Sequence, residues 1–580
     1  MEPGGPTPTL RSRLRLAPVE LRFGTSGRRG RVADLSQLEI YLNTRAELDF
    51  LMSLPRERGG VRAGEEFFLA YDRRPSSTRR CPEFGGRGEI LQAVARAVAD
   101  AGLEPVNLGI LPTPALSLFC WRRARGGIMV TGSHIPFDRN GYKTLTSAGE
   151  LAKEDEPAIE ALSRLWRERL EGEPFERSPF DEDGMFRRGR APEPPVRPEG
   201  AEEYRARYRD FFGPGSLAGC RVLLWEHSAA GRELLRDILA DLGAEVIPVG
   251  RSDGFVAVDT EAVDEAMLAQ VRALLSDSPE GLQAAVSSDG DGDRPLFFSI
   301  EPQTGRVRFE PGERLGLIAA KVLAADAAVA PVSCTDAIEL ALGARAAPRT
   351  RIGSPHVIAG MRRRIQQGFR RVVGFEANGG FLTGSDIERS GRVLAALPTR
   401  DAALPILCAL AASRERGLWP FSLFDELPRW YGASARLADV PRERSLAALR
   451  RLYPSRPEVI EIRFTPEPVA WRGEEEEFRP ALPGEEREFL ALRAVAERWL
   501  APAAGGAEVA AMNFLDGVRI RLAGGDGVHL RASGNADELR IYAQAQSRER
   551  AARLAETGIC RPDGILWRIL DERSGGGDEP

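Results

Sequence analysis

Twice the chain sets a short apolar run ahead of an amphipathic helical stripe and further apolar runs, and a third time a helix ahead of two apolar runs, a grammar that suits a layered α/β domain. The first round runs from Phe67-Phe68-Leu69-Ala70-Tyr71 through a stripe of Ile90, Leu91, Val94 and Val98, closed by Gly102, to the apolar residues 105–110 and 127–130. The second begins at Arg221-Val222-Leu223-Leu224-Trp225, continues through Leu234, Leu235, Ile238, Leu239 and Leu242, and reaches residues 282–286. The third passes from a helix over 315–323 to strands at 328–332 and 371–375. Apolar runs that do not alternate, joined by amphipathic helices, predict buried parallel strands with crossover connections. A different pattern follows, with strands at 459–464, 517–522, 528–531 and 539–542 around a helix near 488–500.

The expected fold class is therefore α/β: three successive mixed α/β domains of similar topology, then a smaller C-terminal α+β domain, around a central cleft. A chain of 580 residues needs such a division, because single cores stop growing at roughly 250 to 300 residues. The expected domains cover residues 20–185, 200–308, 309–440 and 455–572. Proline- and charge-rich linkers are read at 178–200 and 472–488. The stretch 38–64 has no assigned role. Residues 1–13 and 574–580 read as disordered, since their composition offers too little apolar surface to offset ordering entropy.

Lys plus Arg number 80 against 85 Asp plus Glu, a net charge of −5, and no basic block is dense enough to track a phosphate backbone. No nucleic-acid partner is expected. No stretch approaches the roughly 20 apolar residues that span a bilayer, and the first twenty residues lack a secretory apolar region, so no membrane partner is expected either. Six scattered cysteines without metal-ligand spacing fit reduced thiols in a cytoplasmic enzyme.

Chemistry concentrates in loops that follow apolar runs. Asp289-Gly290-Asp291-Gly292-Asp293-Arg294 offers three carboxylates at alternate positions, a cradle for a hard divalent cation such as Mg²⁺. An EF-hand is excluded, because Arg294 and Ile300 stand where its sixth-position glycine and twelfth-position acid belong. Thr131-Gly132-Ser133-His134-Ile135-Pro136, with Asn140-Gly141-Tyr142-Lys143 close behind, sets a serine beside a histidine and near a lysine. No Gly-x-Ser-x-Gly elbow surrounds Ser133, which disfavours a hydrolase nucleophile. His134 and Lys143 instead supply proton transfer and positive charge to a phosphoryl acceptor site. Together the two loops suggest metal-assisted phosphoryl transfer through Ser133.

Weaker pieces complete the set. Phe23-Gly24-Thr25-Ser26-Gly27-Arg28-Arg29-Gly30 is glycine-rich with two arginines, and Arg531-Ala532-Ser533-Gly534-Asn535 combines the donors of a phosphate cup between strands. Arg540, on the following strand, is a further substrate-binding candidate. Glu376 and Asn378, beside Gly379-Gly380, suit hydrogen bonding to vicinal sugar hydroxyls.

These motifs, in this order, resemble those of the α-D-phosphohexomutase superfamily, which includes the phosphomannomutase/phosphoglucomutase enzymes. The resemblance covers nearly the whole chain. The family's Thr-Ala-Ser-His-Asn-Pro loop resembles residues 131–136, its Asn-Gly-x-Lys resembles 140–143, and its Asp-Gly-Asp-Gly-Asp-Arg loop matches at every position. Its Gly-Thr-Ser-Gly-x-Arg-Gly motif matches 24–30, Glu-x-Ser-Gly resembles 376–379 and Arg-x-Ser-Gly-Thr resembles 531–535. Departures are Gly132 and Ile135 where Ala and Asn are usual, Asn378 for Ser, and Asn535-Ala536-Asp537 for Thr-Glu-Pro.

The resemblance implies a mutase that interconverts hexose 1-phosphate and hexose 6-phosphate, of mannose or glucose, through phosphorylated Ser133 and a bound hexose 1,6-bisphosphate that also serves as activator. It implies Mg²⁺ on Asp289, Asp291, Asp293 and a phosphoserine oxygen of Ser133, with Arg29 and Arg294 adding positive potential. Gly353, Ser354 and His356 fall where the family discriminates sugars, Glu376 and Asn378 where it holds the sugar, and Arg531, Ser533, Gly534 and Asn535 where it anchors the distal phosphate. A phosphoglucosamine mutase, a non-catalytic sugar-phosphate sensor and a metal-dependent phosphatase are the rival readings. A monomer or weak homo-oligomer is expected.

Overall fold

The computed structural model describes residues 7–571 except 16, 25–26, 190–192, 262, 475–476 and 534–536. It divides into two compact units, one of Met1–Ala327 with Met361–Phe424 and the other of Ala328–Gly360 with Asp425–Pro580. The protein is a mixed α/β, multi-domain molecule.

In the first unit, one sheet runs in the order Arg28–Arg31, Arg139–Leu145, Gly127–Val130, Glu66–Tyr71 and Glu104–Ile110. The three apolar runs of the first round are mutually parallel, as their double-sided burial requires, with Glu66–Tyr71 between the other two. Arg139–Leu145 and Arg28–Arg31 then join antiparallel, which places the residues on either side of Ser133 on neighbouring strands. The helix Ile90–Asp100 buries Ile90, Leu91, Val94 and Val98, the stripe its spacing predicts.

The unassigned stretch 38–64 is largely a helix, Gln37–Ser53, started by Ser36, whose Oγ accepts from Glu39 N at 3.2 Å. Leu42, Leu48 and Leu51 on it are fully buried, and burying each contributes about 1.5–3 kcal/mol. Polar residues bury there too. Glu47 receives Arg28 Nε at 2.7 Å, the Tyr142 hydroxyl at 3.3 Å and the Thr144 hydroxyl, tying the two antiparallel strands to the helix.

Two segments depart from the expected disorder and linker. Leu10–Arg13 forms a helical turn capped by Thr9, Leu10 N donates to Glu173 O at 2.9 Å, and the Leu10 side chain fills a pocket with Leu42 and Phe180. One large apolar residue with a slot to fill is enough to order this piece. Within 178–200, Phe180 is buried and stacks on Phe186 with ring centroids 4.8 Å apart, so this part of the stretch belongs to the core. The C-terminal tail expected to be disordered, 574–580, lies outside the described residues.

The second sheet of this unit runs Val307–Phe309, Pro295–Ile300, Ala284–Ser288, Arg221–His227 and Glu245–Arg251, again a parallel set extended by antiparallel strands. The third sheet, like the first two, is extended by antiparallel strands. Val372–Phe375, Phe381–Thr383 and Leu397–Asp401 are antiparallel. Only a short loop separates Phe375 from Phe381, too short for a crossover, so the chain turns straight back.

In the second unit an antiparallel sheet runs Tyr431–Ala438, Glu538–Ala545, Gly527–Ala532, Val518–Leu522, Val509–Asn513, Glu461–Arg463, Ala470–Arg472 and Arg479–Pro480. The helices Pro483–Ala504 and Arg548–Ile559 pack on it over a core that includes Trp471, Phe489 and Trp499. The stretch 472–488, expected as a linker, therefore holds an edge strand and the start of a helix.

Candidate active site

The strand Gly127–Val130 delivers Ser133 into a fully buried position with φ of +54°, the left-handed region, which costs a non-glycine residue about 1–3 kcal/mol unless its surroundings impose it. Two buried residues impose it here. Asp72 Oδ2 accepts from Thr131 Oγ1 at 2.8 Å and Gly132 N at 3.2 Å. Arg74 donates to the carbonyls of Pro136 at 2.7 Å, Arg139 at 2.8 Å, Ser133 at 3.1 Å and Ile135 at 2.5 Å. Phe255 covers the Arg74 guanidinium from 3.8 Å. Sequence reasoning missed this clamp. Its signal was Asp72-Arg73-Arg74 directly after the strand Glu66–Tyr71, a polar run where a parallel strand ends.

Ser133 Oγ donates to Asp289 Oδ2 at 2.8 Å. Asp289, Asp291 and Asp293 are all buried, and one ligand oxygen from each lies within 4.8 Å of the others. The loop's own backbone fixes Asp289, whose Oδ1 accepts from Asp293 N at 3.1 Å and Arg294 N at 3.2 Å. Thr113 Oγ1 donates to Asp291 Oδ2 at 2.8 Å, and Lys143 Nζ reaches Asp291 at 2.6 Å and Asp293 at 2.9 Å. Asp291 Oδ1 and Asp293 Oδ1 are buried with no hydrogen-bond partner among the described residues. Buried anionic oxygens without partners, converging with a third carboxylate, fit an oxygen-seeking divalent cation.

The electrostatics follow from this crowding. Burial, then Asp291 and Asp293, push the Asp289 carboxyl well above its usual range. Burial also works to raise Asp291, but Lys143, Thr113 and Arg29 hold it well below. His134 Nδ1 lies 3.3 Å from Ser133 Oγ, and burial, reinforced by Arg294 and Arg29, pushes that ring far below the ordinary imidazole range, so it is neutral. Arg29 Nε has no hydrogen-bond partner among the described residues; burial, reinforced by Arg294 and Arg400 and opposed by Asp291, brings its guanidinium down to about 10. Arg294 Nε lies 3.6 Å from Asp293 Oδ1. Arg28, the other arginine of that motif, points the opposite way and is spent on Glu47.

Glu376 and Asn378 are buried in the turn after Val372–Phe375, where Asn378 Oδ1 accepts from Gly380 N at 2.9 Å. Arg400, which the sequence did not single out, connects this turn to the aspartate loop: Nη2 lies 2.8 Å from Asp293 Oδ2 and Nη1 3.4 Å from Glu376 Oε2.

The second unit holds the other candidates. Gly353 has φ of +118°, Ser354 is buried and His356 is half-buried in the first turn of a helix that begins at Ser354. Arg531, near the end of the strand Gly527–Ala532, places Nε 3.0 Å from Asp516 Oδ1, and Ser533 is buried. Arg540 faces Arg531 in register and forks onto Glu538 at 2.9 and 2.7 Å. Gly534 and Asn535 lie outside the described residues.

Residues 20–169 match the family model for phosphoglucomutase/phosphomannomutase, alpha/beta/alpha domain I, and 482–557 match that for the C-terminal domain of the same enzymes. A phosphomannomutase of Salmonella muenchen is 34% identical over 94% of this chain and 97% of its own length. A phosphomannomutase of Sinorhizobium fredii (strain NBRC 101917 / NGR234) is also 34% identical, over 93% of this chain and 98% of its own. In fold, the chain is similar to a phosphoglucomutase/phosphomannomutase family protein from Burkholderia thailandensis, with a TM-score of 0.59 at 16% identity, covering 92% of this chain and 95% of that one. The chain belongs to the phosphoglucomutase/phosphomannomutase family of the α-D-phosphohexomutase superfamily. It is an enzyme of the phosphotransferase and mutase type. Among the described residues no helix is long and apolar enough to cross a membrane, and the six cysteines are free thiols.

Proposed function

We propose that this phosphohexomutase interconverts the 1- and 6-phosphates of a hexose, mannose first and glucose second, through a phosphate carried on Ser133. The observation that carries the reading is the 2.8 Å hydrogen bond from Ser133 Oγ to Asp289, inside a buried site that holds Lys143 as well. Mannose leads because the relatives that span almost the whole chain are phosphomannomutases. A phosphoglucosamine mutase of Burkholderia ambifaria (strain MC40-6), 27% identical over 66% of this chain, supplies the runner-up.

In this reading the phosphoryl group passes from Ser133 Oγ to a sugar hydroxyl, whose proton goes to His134 because the phosphate dianion, beside a ring 3.3 Å from Ser133 Oγ, offsets the burial and the arginines that otherwise keep it neutral. The hexose 1,6-bisphosphate so formed turns round, and its other phosphate returns to Ser133. Lys143, held between two carboxylates, acts as a fixed cation, and Arg29 and Arg294 face the charge that develops on the transferring oxygens. Asp289, Asp291 and Asp293 would hold Mg²⁺, which when bound supplies Lewis-acid neutralisation of that charge. Glu376 and Asn378 bind sugar hydroxyls, while Arg531, Ser533, Gly534, Asn535 and Arg540 anchor the phosphate that is not reacting, with Gly353, Ser354 and His356 reading the sugar.

A coupled isomerisation assay over mannose, glucose and glucosamine 1-phosphates, with the matching 1,6-bisphosphate added as activator, tests the proposal. Turnover by the wild type and its loss in Ser133→Ala are the expected results. Equal turnover by both proteins overturns the assignment of Ser133, and release of inorganic phosphate without isomer overturns the mutase reading.

A further inference from the structure

Arg400 is almost fully buried, 4% exposed, and lies between two loops that the proposed reaction treats as separate, one for the cation and one for the sugar. Its Nε and Nη2 fork onto Asp293 Oδ2 at 3.1 and 2.8 Å, and Nη1 points at Glu376 Oε2 from 3.4 Å. The stem of the side chain lies across Gly380. A β-carbon there would fall 2.5 Å from Arg400 Cδ and 2.6 Å from Cγ, so the second glycine of the pair exists to let this arginine pass. The strand that carries it is fixed in turn by Asp401, which accepts from the Tyr204 hydroxyl at 2.7 Å and from the Tyr208 hydroxyl.

A guanidinium is planar and rigid, so a shift that changes its fit to one carboxylate changes its fit to the other. Asp293 Oδ2 is shared between Arg400 and Lys143, while Asp293 Oδ1 has no hydrogen-bond partner among the described residues. A cation arriving at Asp293 therefore meets a resident positive charge on the same carboxylate, and that charge is braced against the residue expected to hold the sugar.

We propose that Arg400 is a positioning residue that links the two sites: it opposes cation binding at Asp293 and holds Glu376 in place for the sugar hydroxyls. The proposal rests on the reading of the site as a Mg²⁺-dependent hexose-phosphate centre. By linkage, whatever the sugar phosphate does to Mg²⁺ affinity through Arg400, Mg²⁺ does equally to sugar-phosphate affinity.

The test is calorimetric titration of Mg²⁺ into protein whose Ser133 carries no phosphate, verified by intact mass, alone and then with saturating mannose 1-phosphate or glucose 1-phosphate. Arg400→Met is expected to bind Mg²⁺ about 5- to 10-fold more tightly than wild type in the absence of sugar, because a repelling charge is gone. The same variant is expected to raise KM for the hexose phosphate about tenfold and to bring the ratio of Mg²⁺ Kd with and without sugar towards one. Arg400→Lys, which keeps the charge but reaches only one carboxylate, should leave the sugar-free Mg²⁺ Kd near wild type and still lose most of that ratio. An arginine with only a structural role would weaken Mg²⁺ and sugar binding together, and that outcome, or an unchanged Mg²⁺ Kd in a folded Arg400→Met protein, overturns the proposal. Should Arg400→Met not fold, Arg400→Lys decides alone, and an unchanged ratio in it is then the overturning result. Failure of the wild type to isomerise any hexose phosphate would sink the mutase reading instead, and leaves the sugar-free Mg²⁺ comparison readable.

Discussion

Ser133 and Asp289, 156 residues apart in the chain, meet through a 2.8 Å hydrogen bond, and on the acidic side two carboxylate oxygens, on Asp291 and Asp293, have no hydrogen-bond partner among the described residues. Three buried carboxylates repel one another, and a cation that binds only the folded protein relieves them. Adding Mg²⁺ to chelator-treated protein should therefore raise Tm. At a hundredfold excess over Kd, the linkage is worth about 2.7 kcal/mol. Asp291→Asn should abolish most of the Mg²⁺-dependent rise, read by thermal melts with and without EDTA. An equal rise in both proteins would place the cation elsewhere.

Gly132 stands where the family usually has alanine, and the structure gives the reason in this chain. A β-carbon on it would lie 2.6 Å from Arg74 Nε and 2.7 Å from Cζ, and the guanidinium is held in place by the carbonyls of the serine loop. Gly132→Ala, although it restores the usual residue, should destabilise the protein by about 1–3 kcal/mol through overpacking and lower kcat more than it raises KM. Denaturant melts and steady-state kinetics check both. Adding Arg74→Lys to Gly132→Ala should recover part of the stability but not kcat, because a single ammonium cannot hold four carbonyls.

His227 and His529 are buried, with Nε2 on the carbonyls of Ser288 at 2.9 Å and Asp516 at 2.5 Å, and in each, burial is the main force bringing the ring down to about 4 from 6.5. A depressed folded value gives stability that is fully present above pH 6.5 and is lost as pH falls through about 4, because the unfolded chain takes up the proton first. Each ring should contribute on the order of 3 kcal/mol across that window. His227→Asn, which tolerates the φ of +25° at this position, should flatten the slope of unfolding free energy between pH 7 and pH 4.5 relative to wild type. Identical slopes would mean that this ring titrates alike in the folded and unfolded protein, and would overturn the depressed folded value.

The sequence disclosed most where a single stretch carries the whole signal. The aspartate loop, the serine loop and the buried strands of the first two sheets are local patterns, and their spacing alone placed carboxylates and a hydroxyl at strand ends. What stayed hidden depends on partners far along the chain. Arg400 is an ordinary arginine until Asp293 and Glu376 arrive beside it, and Arg74 means nothing without the four carbonyls it holds. Glu47 sits on a helix whose polar residues blur its apolar stripe, so burial of Arg28 against it left no periodicity to read. The strands Phe381–Thr383 and Leu397–Asp401, which extend the third sheet antiparallel, were not read, because runs this short carry no periodicity.

Asp516 supports the last prediction, which concerns the second unit alone. Its Oδ1 accepts from Arg531 Nε at 3.0 Å and its Oδ2 from Ile352 N at 3.0 Å, so one carboxylate fixes both the candidate phosphate arginine and the loop that leads to Gly353, Ser354 and His356. Because Asp516 takes Nε, the guanidinium can turn its Nη edge to an incoming phosphate, and the carboxylate sets the direction of that edge. Asp516→Ala should cost one or two charge-assisted hydrogen bonds, about 1.5–3 kcal/mol each, and so raise KM for hexose phosphate at least tenfold. The fall in kcat should be smaller, since Ser133 and the aspartate trio keep their own contacts. Asp516→Asn, whose single carbonyl oxygen can accept from only one of the two donors, should lie between the two. Steady-state kinetics on the three proteins settles it: a fall in kcat at unchanged KM would show that Asp516 supports the chemistry and not the grip on the distal phosphate.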